Sequence, residues 1–152
     1  TPMNKKDSVS DDIIFFGIDF GLKKIGVAIG QNVTKRASPL KIIYNKNNNI
    51  NWKELDKIIE EWSPKIIVVG QPDVKTVNSF IKALNYFNKE LARKYGSNLE
   101  VIKYSEVLST EESKNVYREM RQNQGKINKK YHLDDLSASI ILQSWLNENM
   151  IS

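Results

Sequence analysis

Apolar positions change their spacing several times along this chain. Ile13–Phe20, "IIFFGIDF", is a short and almost unbroken apolar run rich in β-branched and aromatic residues, and it reads as a buried strand. Ile25–Gly30 is again β-rich, and the four residues "GLKK" between the two runs fit a hairpin. After the "ASP" punctuation, Leu40–Tyr44 predicts a third strand, closed by the polar loop "NKNNN". Three strands joined by short turns predict an antiparallel meander.

The period then lengthens. Trp52, Leu55, Ile58, Ile59 and Trp62 recur at helical spacing, so "NWKELDKIIEEW" predicts an amphipathic helix that Pro64 ends. "KIIVVG" follows as a continuous apolar strand of the kind buried on both faces of a parallel sheet. Val77, Phe80, Ile81, Leu84, Phe87 and Leu91 mark a second long helix, and "NLEVIKY" a strand ending at Tyr104. Ser109 and Glu112 stand in capping-box spacing at the start of a third helix. The polar, basic segment "RQNQGKINKK" separates it from a final helix, "LDDLSASIILQSWL". The order βββαβαβαα predicts an α/β protein: a mixed five-stranded sheet, antiparallel first and then parallel, with helices on both faces and right-handed crossovers.

The chain has 152 residues, enough for one domain with a real core, expected over residues 13–150 behind a disordered tail at 1–12. The absence of cysteine excludes disulfides, thiolate metal sites and cysteine nucleophiles together, and fits a reducing compartment. No apolar run is long enough to span a bilayer. The amino-terminal "TPMNKKDSVSDD" is polar and carries no apolar signal region, so a cytoplasmic protein is expected, with Met3 as its natural start. With 23 basic and 18 acidic residues the net charge is +5, a lean toward polyanionic partners that counts where the charges cluster.

In open α/β sheets, function gathers at the carboxyl ends of the parallel strands. Asp19 closes the first strand, Glu106 follows the last one, and Asp134 lies at the start of the final helix. Three carboxylates brought together repel one another unless a divalent cation lies between them. An all-oxygen set of this kind suits Mg²⁺ or Mn²⁺. Two such ions about 3.5–4 Å apart activate a water and stabilise the leaving oxygen of a phosphodiester. Gly21 lets the backbone turn after Asp19 and leaves the carboxylate open to a bulky polyanion, whereas Gly17 need only permit close packing.

"GIDFGLKKIGVAIG", "ASPL", "EWSPKIIVVGQP", "EVLST" and "LDDLSASIILQSWL" together resemble the successive motifs of the YqgF family. These are Holliday-junction-resolvase-like proteins, also described as pre-16S ribosomal RNA nucleases, with a ribonuclease H-like fold. The resemblance runs roughly from Ile13 to Leu146. It implies a hydrolase acting on structured RNA or branched DNA, with Asp19, Glu106 and Asp134 as its catalytic metal ligands. The register of the last motif selects Asp134 as ligand and leaves Asp135 as the helix-start acid. The chain also departs from the family pattern. Ser105 and Val107 stand where an acid and a base are usual, Gln71 replaces a Leu, and "DVKTV" is shorter than the usual loop and lacks its Gly. The resemblance therefore implies altered substrate contacts around three retained ligands.

Each of these residues also has an ordinary structural reading. Asp19 alone is equally a strand-end turn residue, and Glu106 an exposed acid near a helix start. Trp52, Trp62 and Trp145 read as core, and His132 as an exposed loop histidine. Lys126, Lys129, Lys130, Arg118 and Arg121 surround the segment before the last helix, and Lys23 and Lys24 follow Asp19; all seven are candidates for phosphate contacts. Three functions compete. The first is a nuclease maturing the 5' end of 16S rRNA, expected to work as a monomer. The second is a junction resolvase, which needs a two-fold dimer to cut symmetrically. The third is an inactive nucleic-acid-binding relative. "GIDFG" also resembles the phosphate loop of actin-like ATPases, but those need two large lobes and this chain supplies one.

Overall fold

The computed structural model describes residues 12–72, 78–105 and 133–150, with the side chains of 133–135 outside that description. Five strands form one mixed sheet: β1 (Ile14–Asp19), β2 (Lys24–Gln31), β3 (Ala37–Tyr44), β4 (Ile66–Gln71) and β5 (Glu100–Ser105). Their spatial order is β3-β2-β1-β4-β5. The first three are antiparallel, and β4 and β5 run parallel to β1, as expected. Among the described residues three helices flank the sheet: α1 (Trp52–Trp62), α2 (Ser79–Tyr95) and α3 (Leu133–Asn149). The helix expected to start near Ser109 lies outside the described residues. Among the described residues no helix is long and apolar enough to cross a membrane.

Strand alternation sorts the core into two layers. Phe16, Ile18, Ile25, Val27, Ile43, Ile67 and Val69 point to one face and pack on Leu55, Ile58 and Ile59 of α1 and Leu84, Phe87 and Leu91 of α2. Phe15, Ala28, Val68 and Tyr104 point to the other and meet Ala138, Ile141, Leu142, Trp145 and Leu146 of α3. The expected pair of helical layers is therefore present, and β1 is buried on both sides.

The strand boundaries differ from the sequence reading at β3, which begins at Ala37 rather than Leu40. The pairing skips a residue there, Val27 opposing Lys41 and Ala28 opposing Pro39, so a bulge absorbs the proline. β3 is an edge strand, where a missing N–H costs no ladder bond. α1 stops at Trp62, with Ser63 in the left-handed region at φ 48° and its N–H bonded to the Ile59 carbonyl. Trp62 is 37% exposed and lies outside the core expected for it, whereas Trp145 is buried and Trp52 stacks on Phe87 with ring centroids 5.5 Å apart.

Candidate functional site

Asp19 is the last residue of β1, the central strand of the sheet, and it is half-buried. Phe15 and Gly17 face α3, and alternation puts Asp19 on that same face. The contacts along α3 run against the strand. Ala138 and Leu142 lie over Gly17, and Trp145 meets Phe15 with ring centroids 5.5 Å apart. The start of α3 is therefore directed toward the strand end that carries Asp19. Asp134 is the second residue of that helix, one turn before Ala138.

Glycine makes this approach possible. A Cβ on Gly17 would stand 2.6 Å from Leu142 Cβ and 2.8 Å from the Ala138 carbonyl oxygen, inside contact distance of both. Gly21 is needed for a similar reason: a Cβ there would lie 2.6 Å from the Lys24 carbonyl oxygen. Its φ is not positive, so the turn after Asp19 depends on close approach of backbone rather than on a left-handed residue.

The β1–β2 turn is fixed from the side. Asn45, just past β3, is bonded on both sides: its N–H donates to the Lys23 carbonyl at 2.9 Å, and its Oδ1 accepts from the Asn51 N–H at 3.2 Å. Its Nδ2 donates to the carbonyls of Gly21 at 3.2 Å and Leu22 at 3.0 Å. Beyond Asn45, the N–H groups of Lys46 and Asn49 donate to each other's carbonyls at 3.1 and 2.9 Å. Asn47 and Asn48 between them have φ of 53° and 63°, the signature of a type I′ turn that asparagine tolerates.

The sequence-derived candidates are thus only partly described. Asp19 closes β1, Lys23 is exposed in the turn after it, and Lys24 opens β2. Asp134 lies in the first turn of α3, its side chain outside the described residues. Glu106, Arg118, Arg121, Lys126, Lys129 and Lys130 lie outside them altogether, as does His132. Among the described residues there is no cluster of three or more potential metal-ligating side chains, but two of the three expected ligands fall beyond that set. What is described suits a hard cation. A carboxylate stands at a strand end toward which a second acid-bearing helix start is directed, and the chain contains no cysteine to offer a soft ligand.

Sequence reasoning missed Tyr44 and Lys46 at this end of the sheet. Tyr44 is 67% exposed, and the preceding Ile43 points into the α1 and α2 layer, which turns Tyr44 to the face that bears Asp19. Alternation from Ile43 gives the face of Tyr44, but its alignment with Asp19 comes only from the β1–β2–β3 register.

A mixed sheet of order β3-β2-β1-β4-β5, with an acid closing the central strand and helices on both faces, defines a ribonuclease H-like domain. A family model described as "RuvX: Holliday junction resolvase" matches residues 13–148, and the chain belongs to that family, as the YqgF motifs implied. A relative in Buchnera aphidicola subsp. Acyrthosiphon pisum, named "Putative pre-16S rRNA nuclease", is 35% identical over 90% of this chain and 99% of its own. One of the same name in Hydrogenovibrio crunogenus is 37% identical over 88% and 93%. Among solved structures, the fold is similar to T. thermophilus RuvC in complex with a Holliday junction substrate. The TM-score is 0.63 at 12% identity, covering 91% of this chain and 96% of that one. The fowlpox virus Holliday junction resolvase gives 0.55 at 20%, covering 90% and 99%.

Proposed function

We propose that this protein is a divalent-metal-dependent nuclease that hydrolyses phosphodiester bonds during maturation of the 5' end of 16S rRNA, working in the cytoplasm as a monomeric domain over residues 13–150. The observation that carries this reading is the direction of α3 across β1, which brings the helix start bearing Asp134 toward the strand end bearing Asp19. The relatives named for pre-16S rRNA support the choice of substrate.

Asp19, Glu106 and Asp134 would hold the cation. Mg²⁺ or Mn²⁺ held by these carboxylates would supply an activated water and charge to stabilise the leaving oxygen. The chain's own part is orientation. Burial of β1 on both faces fixes the Asp19 main chain, and the Asn45 bonds fix the turn beyond it. Lys23 and Lys24 adjoin Asp19 and supply positive charge for the backbone phosphates. Arg118, Arg121, Lys126, Lys129 and Lys130 belong to the same proposal.

The family's description as Holliday junction resolvase favours a second reading, resolution of four-way DNA junctions. One assay separates them: Mn²⁺-dependent cleavage of precursor 16S rRNA and of junction DNA by wild type and Asp19→Asn, with sedimentation of the wild type. The rRNA reading expects cleavage of the precursor by a monomer and a loss of at least a hundredfold in Asp19→Asn. Junction cutting by a dimer supports the resolvase. Equal activity of the two proteins overturns the site, and RNA binding without any cleavage makes the chain an inactive relative.

A further inference from the structure

Asp19, Gly26 and Ile42 stand opposite one another on β1, β2 and β3, and the next row on the same face is Lys24 and Tyr44. Tyr44 is thus displaced from Asp19 by two strand spacings, about 10 Å, and two residues along the strand, about 7 Å. α3 covers β3 at its opposite end, where Gln143 accepts from the Ala37 N–H at 2.8 Å. That leaves the Tyr44 ring 67% exposed.

Its surroundings are cationic and polar. Exposed Lys23 lies in the turn beside it, and exposed Lys46 follows it by two residues. Lys46, Asn47, Asn49, Ile50 and Asn51 line an open depression in the loop that follows β3. The acid of the neighbouring helix start, Glu54, is engaged by Lys41 at 3.1 Å on the other face of the sheet. The platform is also stiff, because Asn45 joins the turn carrying Lys23 to the turn carrying Lys46. An exposed aromatic ring with lysines on the two adjoining turns is an arrangement that can stack an unpaired base while phosphates are held nearby.

We propose that Tyr44, with Lys23 and Lys46, forms a platform that stacks an unpaired base of the nucleic-acid strand whose backbone lies at Asp19. This deepens the nuclease reading and rests on it for the position of the strand. The separation of about 12 Å between Tyr44 and Asp19 is spanned by three or four stacked nucleotides at about 3.4 Å each. The platform therefore selects substrates that are single-stranded within a few nucleotides of the cut.

The test is direct binding by the full chain in EDTA, so that neither metal nor turnover enters. The probes are a single-stranded RNA carrying 2-aminopurine, its DNA counterpart, and a blunt duplex. Tyr44→Ala is expected to weaken single-strand binding about tenfold, equivalent to about 1.4 kcal/mol, and to remove the quenching of 2-aminopurine. Tyr44→Phe and Tyr44→Trp should restore both, and duplex binding should change less than about twofold. A steeper salt dependence in wild type than in Lys46→Gln supports the flanking cation. Unchanged binding by Tyr44→Ala, an equal loss on the duplex, or no rescue by Phe overturns the platform. Failure of the nuclease reading would appear elsewhere, as cleavage that survives Asp19→Asn, and the metal-free binding result would stand apart from it.

Discussion

The Ala138 carbonyl oxygen lies 2.8 Å from the point where a side chain on Gly17 would begin. Helix and strand meet there with no side chain on the strand between them, and the contact sets the height of α3 above the end of β1. Gly17→Ala must lift the helix or bend the strand, since Leu142 Cβ blocks the other side at 2.6 Å. Overpacking of this kind costs about 1–3 kcal/mol. A domain this size should lose several degrees of Tm, at roughly 2–4 °C per kcal/mol. Cleavage should fall further than stability explains, because Asp134 rides on the displaced helix. Gly30→Ala should be milder: the Arg36 carbonyl oxygen and Leu142 Cδ2 at 3.2 Å and Leu146 Cδ1 at 3.3 Å need give by only a few tenths of an ångström, and two of the three are side-chain ends. Thermal melts and cleavage rates of the two variants check the order.

The crossing of α1 and α2 carries a pH dependence. Asp56 accepts hydrogen bonds from the Tyr95 hydroxyl and from Lys94 Nζ, the latter at 3.1 Å, while Lys94 sits 4.8 Å from the centre of the Trp52 ring. Burial, and then the bond to Asp56, raises the pKa of Tyr95 above the ordinary phenol range. A folded pKa above the unfolded value of about 10 means that the native state keeps its proton longer. The stability this lends is complete below pH 10 and drains away as pH climbs toward the folded value. Urea melts across that alkaline range should show a decline that Tyr95→Phe flattens. Asp56→Asn should bring one phenolate absorbance step part of the way down toward the usual range.

How much of this could be read from the chain varies by element. α1 was legible because Leu55, Ile58 and Ile59 fall on one stripe and all three are buried. α3 offers no such stripe. Leu136, Ile140, Ile141, Leu142, Trp145 and Leu146 are buried on different sides of it, although the sequence reading did place the final helix there. The start of β3 was hidden by Pro39, which an edge position and a bulge accommodate and which no local rule predicts. Asp19 could be found because a carboxylate ending an apolar strand breaks the pattern. Tyr44 could not, since its meaning lies in a register that joins three strands.

Asn45 should prove worth more than its half-buried position suggests. Its side chain makes three of the bonds that hold the β1–β2 turn against the loop before α1. Asn45→Ala leaves the Gly21 and Leu22 carbonyls without that donor and should cost about 1–3 kcal/mol. Amide exchange at Lys46 and Asn49 should accelerate at least tenfold if this loop depends on the weld. Exchange at wild-type rates would show that the type I′ turn holds itself.

Asn88 poses the sharpest energetic question in the core. It is 4% exposed on α2; its Nδ2 donates to Gln71 Oε1 at 3.4 Å, and its Oδ1 has no partner among the described residues. Gln71 in turn donates to the Val69 carbonyl at 3.1 Å, so the amide pair closes the end of β4 inside an otherwise apolar layer. Removing one member strands the other: Gln71→Met leaves a buried amide with neither group satisfied, a loss of about 1–3 kcal/mol. Removing both leaves nothing to satisfy, and apolar replacements of matching shape can be neutral or stabilising. The double variant Gln71→Met, Asn88→Leu should therefore be more stable than Gln71→Met alone and reach wild type or better, with a coupling energy of about 0.5–3 kcal/mol in a double-mutant cycle. Simple additivity of the two losses would mean that the long 3.4 Å contact carries no energy and that each amide is paid for separately by its surroundings.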